Sequence, residues 1–252
     1  MKLFDLSGKS ALVTGGGRGI GKSIALALAE AGANVAITSR TESELKETAE
    51  TIRGFSRKAY YAAVDARNPE DIKEFVQDIM KQEEKIDILV NGAGSNKRLS
   101  FLEITEKDWD FVMGVNLKTA LFTSQAVIPY MQQQKYGKII NIASLTSEIA
   151  FPNMSAYAAS KGGISQLTKG LAVEFADDGI LVNAIGPGYF KTEMTKVLFE
   201  DEKKVAWMNS RIPLKRTGEV EELQGAAVYL ASRASDYVTG QTIYVDGGWL
   251  SS

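Results

Sequence analysis

The 252-residue chain contains no cysteine and no histidine. Without thiols there is no disulfide framework and no thiolate metal site. Without imidazole the usual neutral-pH base is missing, and every Ser-His or Cys-His scheme goes with it. Acid–base chemistry must fall to Tyr, Lys, Asp or Glu. No apolar run reaches about 18 residues, so no membrane span is expected. The opening Met1-Lys2-Leu3-Phe4-Asp5-Leu6 lacks the apolar core of a signal peptide, and a cytoplasmic location is the expectation. Charge of one sign is also lacking: 29 Lys and Arg face 31 Asp and Glu, a net −2, so no basic field points to nucleic acid. With only five prolines, no Pro/Gly/Ser-rich linker divides the chain, and no internal repeat is present.

Short apolar runs alternate with helical patterns throughout. Strands are predicted at 10–14, 35–38, 59–64, 86–90, 139–143, 181–185 and 241–245. Helices are predicted at 22–31, closed by Gly32, and at 42–55, 69–81, 219–231 and from Ser155 past Leu171. Residues 106–134 read as one long helix with a bend at Pro129. Residues 92–100 read as a loop, and 189–215 as an irregular segment able to form a lid. Continuous apolar strands between helices indicate an α/β, doubly wound (Rossmann-type) fold: one seven-stranded parallel sheet with helices on both faces, forming a single domain over 1–252. Ligands are then expected at the carboxyl ends of the strands.

Three places at those ends carry chemistry. The first is Gly15-Gly-Gly-Arg18-Gly19-Ile20-Gly21, between a strand and a helix. Glycine permits close backbone approach, and free N–H groups at a helix start bind phosphate. After the second strand, where an acid would favour NAD, the chain reads Thr38-Ser39-Arg40. Ser39, Arg40 and Arg18 together suit the 2′-phosphate of NADP(H). Asp65 can accept from an adenine amino group, or equally cap a helix. Asn91-Gly92-Ala93-Gly94 is another close approach of backbone.

The third place is Ser144 to Lys161. Ser144 follows a buried strand, and Ser155 is a candidate N-cap for the helix that carries Tyr157 and Lys161. Four residues apart, these two share a helix face. A free tyrosine, of pKa about 10, is a poor base. A neighbouring ammonium and the positive end of a helix favour its phenolate. Such a phenol can exchange a proton with an alcohol or carbonyl oxygen that Ser144 also holds. A solvated lysine beside a core aromatic is the alternative for the pair taken alone.

Taken together, Thr14-Gly15-x-x-x-Gly19-x-Gly21, Asn91-x-Ala93-Gly94, Asn116, Ser144, Tyr157-x-x-x-Lys161 and Pro187-Gly188 resemble the classical short-chain dehydrogenases/reductases across nearly the whole chain. Gly92 stands where that family usually has Asn. The resemblance implies an NADP(H)-dependent oxidoreductase. Tyr157 would be its acid–base and Ser144 its substrate-orienting hydroxyl. Lys161 would bind the nicotinamide ribose and lower the phenol pKa, and Asn116 would break the long helix and hold a water in a proton relay. Ile20, Ala66, Pro187, Gly188 and Thr192 join the cofactor contacts on the same ground. The resemblance also implies a homotetramer.

The substrate is less sharply written. Lys97 and Arg98, adjacent cations beside the reactive centre, suit a carboxylate. Asn96-Lys97-Arg98, 143–146 and Asp246-Gly247-Gly248-Trp249 are similar to gluconate 5-dehydrogenases and neighbouring sugar-acid and polyol dehydrogenases. A 3-oxoacyl-[acyl-carrier-protein] reductase is the alternative within the family. A non-catalytic NADP(H) sensor is the alternative outside catalysis, disfavoured by the complete Ser144, Tyr157, Lys161, Asn116 set. No metal site is expected.

Overall fold

Strands buried on both faces have no polar side to show, and that is why they read as unbroken apolar runs. The structure, a computed structural model, describes residues 2–251. Strands β1 (Ser10–Thr14), β4 (Ile88–Asn91) and β5 (Gly137–Ile142) are buried along their whole length. They join β2 (Asn34–Ser39), β3 (Ala59–Ala63), β6 (Ile180–Pro187) and β7 (Thr242–Val245) in one parallel seven-stranded sheet, ordered β3-β2-β1-β4-β5-β6-β7.

Alternation along each strand sends side chains to opposite faces. On one face Val13, Val35, Ile37 and Ile140 pack under α1 (Gly19–Glu30), α2 (Glu42–Gly54) and, from later in the chain, α9 (Gln224–Ala231), through Ile24, Leu28, Leu45, Ile52 and Leu230. On the other, Leu12, Leu89, Ile139 and Val182 meet Ile72, Phe75 and Ile79 of α3 (Pro69–Glu83), and Val127 and Met131 of α5 (Thr119–Gln134). Two dry layers therefore sandwich the sheet. After β1 the chain builds outward through β2 and β3, then crosses back to β4 on the other side of β1. That reversal opens a crevice beyond the carboxyl ends of β1 and β4.

Several boundaries depart from the sequence reading. The predicted helix 106–134 is α4 (Glu106–Met113), a π-helical turn at Gly114–Lys118, then α5. Pro129 sits inside α5, so the break lies at Asn116 and not at the proline. This 29-residue run is long and apolar enough to cross a bilayer by length and composition alone. Its buried face, with Val112, Asn116, Val127 and Met131, is committed to the core. The predicted helix 219–231 opens with a 3-10 turn at Val220–Leu223 before α9. The next helix, α6 (Ser155–Glu174), is capped by Met154, and no side-chain bond from Ser155 closes its start. The segment 189–215 is not irregular: it holds α7 (Lys196–Phe199) and α8 (Glu202–Arg211).

Candidate active site

A cleft of about 550 Å³ runs along the carboxyl ends of the strands. Its first wall is the turn between β1 and α1. Gly15 and Gly19 adopt φ of +72° and +55°, the left-handed region where glycine is favoured. A Cβ on Gly21 would lie 2.2 Å from Gly15 O, and one on Gly15 would lie 2.8 Å from Gly92 O. The glycines thus let helix, turn and the β4 turn approach one another. Thr14 secures the last contact: its buried hydroxyl accepts from Gly92 N at 3.1 Å and Ala93 N at 3.3 Å. No side chain caps α1, so the N–H groups of Gly19, Ile20 and Gly21 open onto the cleft they line.

Ser39, Arg40, Arg18 and Asp65 line one end. Ser39 Oγ is buried without a partner, an orphan that a phosphate oxygen would satisfy. Arg18 pairs with Glu44 at 3.3 Å, which leaves Arg40 as the cation whose charge is not already matched by a salt bridge. Asp65 neither caps α3, which Asn68 does, nor points freely outward. It is gripped by Arg67, through Nε at 3.0 Å and through Nη2, and that guanidinium holds its carboxyl below the usual range. A ligand amino group would have to share it.

At the other end stand Ser144, Tyr157 and Lys161, all lining the cleft. Ser144 closes β5's extension, and its Oγ accepts from Thr146 N at 3.1 Å. Lys161 Nζ donates to Ile142 O at 2.6 Å and lies 5.8 Å from the centre of the Tyr157 ring. Desolvation brings the Lys161 amine down to about 8. The phenol departs from expectation. Burial pushes Tyr157 up, while the Ser144 hydroxyl and the charge of Arg98 pull it down. In the free chain desolvation outweighs the neighbouring charge, so Tyr157 is a proton donor at neutral pH.

Two expected cofactor or relay residues face inward instead. Asn91 Nδ2 donates to Ser124 Oγ at 3.1 Å and to Asn141 Oδ1 at 2.8 Å, and Asn141 Nδ2 reaches Thr168 Oγ1 at 2.9 Å. Asn91 therefore ties strand ends to α5 and α6 from beneath the cleft. Asn116 Oδ1 accepts from Ser95 N at 2.8 Å, and its Nδ2 donates to Ser95 O at 3.0 Å and Ser160 Oγ at 2.9 Å. Ser160 Oγ in turn donates to Tyr157 O at 2.7 Å. The Asn116 side chain thus clamps the loop after β4 to the start of α6. Pro187 and Gly188 line the cleft as expected, and Gly188 also packs tightly on Asp246: a Cβ there would lie 2.7 Å from Asp246 Cα.

The basic pair splits. Lys97 Nζ binds Asp108 Oδ1 at 2.6 Å and lies over the Phe111 ring at 5.1 Å. The ammonium, with the Thr105 hydroxyl, brings the Asp108 carboxyl down to about 2. Lys97 is therefore an anchor for α4 and does not face the cleft. Arg98 is not on the cleft lining either, though its charge pulls down the pKa of both the Tyr157 and Tyr189 phenols. Behind Tyr189 sits an aromatic group: Phe151, Trp249 and Trp207, with ring centres 5.1–6.1 Å apart.

The cleft is also lined by Asn96 and Met194, from the expected substrate loop and lid, and by Glu44, Ser95, Val115 and Phe190, to which sequence reasoning gave no role. Their only signal was position, next to the glycine turn or at a strand end. A long groove with helix-start amides, an orphaned hydroxyl and cations at one end and an ammonium and phenol at the other fits an extended phosphorylated dinucleotide. Among the described residues no cluster of acids offers a metal site.

Comparison with known proteins agrees with this geometry. A family model described as enoyl-(acyl carrier protein) reductase matches residues 15–250. The 5-keto-D-gluconate 5-reductase of Escherichia coli K12 is 43% identical over 248 residues, 98% of each chain. The 2-dehydro-3-deoxy-D-gluconate 5-dehydrogenase of Bacillus subtilis is 45% identical over 248 residues, 98% of this chain and 97% of that one. The solved gluconate 5-dehydrogenase of Burkholderia cenocepacia, in complex with NADP and tartrate, superposes with a TM-score of 0.96 at 41% identity, covering 100% and 98% of the two chains. With this match over its full length and the Ser144, Tyr157 and Lys161 groups on one cleft, the chain belongs to the short-chain dehydrogenase/reductase family.

Proposed function

We propose that this protein is an NADP(H)-dependent oxidoreductase that interconverts the secondary alcohol and ketone of a sugar acid, with gluconate and 5-ketogluconate as the pair. Bound NADPH supplies the hydride that reaches the carbonyl carbon. Tyr157 gives its proton to the carbonyl oxygen, a role its burial favours. Ser144 donates a hydrogen bond to the same oxygen as charge gathers there. Lys161, held from below by Ile142 O, presents its amine to the cofactor ribose and offsets phenolate charge. In oxidation the proton travels the other way. Arg40 and Ser39 select the 2′-phosphate.

The observation that carries the substrate class is the likeness to keto-sugar-acid enzymes along the whole chain, and Arg98, whose charge pulls down the pKa of both the Tyr157 and Tyr189 phenols, is the cation assigned to the carboxylate. A carboxylate lying between guanidinium and phenols would set the sugar chain with one carbon at Tyr157. Relatives named for keto-sugar acids at 43% and 45% identity support the same class. The α7–α8 segment, 189–215, is in this reading a lid over the substrate end, within a single domain spanning 1–252. A cytoplasmic homotetramer is the expected assembly, supported by Phe101, Leu102 and Trp109, which are exposed near α4.

A panel of sugar acids, neutral polyols and acetoacetyl thioesters, followed by NADPH and NADH absorbance, tests the reading. Arg98→Ala should raise KM for the acid about 10- to 100-fold more than for a neutral polyol, the worth of a charged hydrogen bond. Turnover confined to the thioester would make the protein an acyl-carrier reductase instead.

A further inference from the structure

Of the buried side-chain polar atoms that lack a partner, two belong to residues on the cleft wall: Ser39 Oγ and Asn96 Oδ1. The 2′-phosphate accounts for Ser39. Nothing in the chemistry above accounts for Asn96. Its backbone is fixed from both sides. Ser95 is clamped at N and O by Asn116, at 2.8 and 3.0 Å, and Lys97 is pinned to Asp108 at 2.6 Å. The side chain between these anchors makes none of the hydrogen bonds its neighbours make, while its carbonyl oxygen is shielded from solvent. A buried acceptor left unmatched costs roughly 1–3 kcal/mol. A rigid loop that holds one on a cleft wall is built for a ligand donor. The substrate carboxylate and the reacting carbonyl are acceptors only and cannot fill the role. A hydroxyl can.

We propose that Asn96 Oδ1 accepts a hydrogen bond from a hydroxyl of the substrate's polyhydroxy chain, making Asn96 a specificity-determining residue that favours hydroxylated over deoxygenated substrates. The inference rests on the sugar-acid reading for its choice of ligand. A site that hydrogen-bonds a substrate OH rejects the analogue lacking it, because the protein group stays buried and unpaired.

The test measures kcat/KM with NADPH for the keto-sugar acid, its monodeoxy analogues, and a neutral polyhydroxy ketone with its own deoxy series. The wild-type protein should lose about 10- to 100-fold on one analogue. Asn96→Ala should lose a similar factor on the parent compound and become indifferent to that hydroxyl. Asn96→Asp, which keeps the acceptor, should keep the discrimination. NADPH affinity by fluorescence titration should be the same for wild type and Asn96→Ala. Three results overturn the proposal: retained discrimination in Asn96→Ala, an equal loss on every compound, or a loss that appears in NADPH affinity. If the wild-type protein prefers the neutral ketone to the acid, the sugar-acid reading falls by itself, and the neutral deoxy series still decides the role of Asn96. Turnover of neither ketone overturns both.

Discussion

Lys161 is a buried amine that donates to a backbone carbonyl, Ile142 O, with no salt bridge to a carboxylate among the described residues. Desolvation sets its pKa near 8, against an ordinary 10.5. Between those two values the unfolded chain holds a proton that the folded one has released, so stability rises with pH through that window. Below about 8 the folded protein carries the full penalty of a charged, desolvated amine, about 3 kcal/mol. Lys161→Met should therefore abolish turnover yet raise the Tm of the free protein at pH 7. The gain should shrink as pH rises from 8 to 10. A gain independent of pH would mean the amine is not desolvated. Arg40 makes a second residue-scale prediction. With Arg18 paired to Glu44 and Arg67 to Asp65, removing Arg40 leaves the 2′-phosphate end without an unmatched cation. Arg40→Ala should weaken NADPH by about 10- to 100-fold and NADH by little, read as the ratio of the two KM values.

At the scale of elements, α8 is instructive because its sequence carries local helix signals but not the contact that docks it. Glu202-Lys-Lys-Val-Ala-Trp-Met-Asn-Ser-Arg211 buries only Met208. Asp201 caps it, accepting from Lys203 N at 3.0 Å and Lys204 N at 3.3 Å. Trp207 then docks edge-on against Trp249, ring centres 5.6 Å apart. The partner ring comes from the far end of the chain, so no local window shows where the helix docks. Because Trp207 is half-exposed, Trp207→Ala should leave Tm within a few degrees while protease cleavage inside 196–211 rises several-fold. Unchanged cleavage would show that another contact holds the lid. The π-turn at Gly114–Lys118 has the same character. It aims Asn116 at Ser95 and Ser160, two segments that meet only in the fold.

For the whole molecule, the sheet order places the β1 and β4 turns in contact and makes one groove out of residues from 15 to 195. The outer surface raises the question of assembly. Phe101 is 73% exposed, Leu102 92% and Trp109 41%, apolar area that a monomer would leave in water. Leu102→Asp combined with Trp109→Asp should reduce the mass measured by light scattering from four chains to fewer. A single-chain mass in the unaltered protein would refute the tetramer.

Alternation of buried strands with amphipathic helices settled the fold class, because burial on both faces forces apolar runs that any reader of the sequence can see. Ser144, the Tyr157–Lys161 pair and the glycine turn were legible for a related reason: each depends on neighbours within a few residues. Lys97 and Asn91 point elsewhere than expected because a side chain's direction is chosen by partners distant in sequence: Asp108 and Asn141. The phenol's upward shift had the same origin, since burial is a property of the packed molecule and the neighbouring charge alone is local. Residue type and spacing pointed to the glycine turn, Ser144, Tyr157 and Lys161, all of which line the cleft. Only packing decided which of them remain unmatched there, and so available to a ligand.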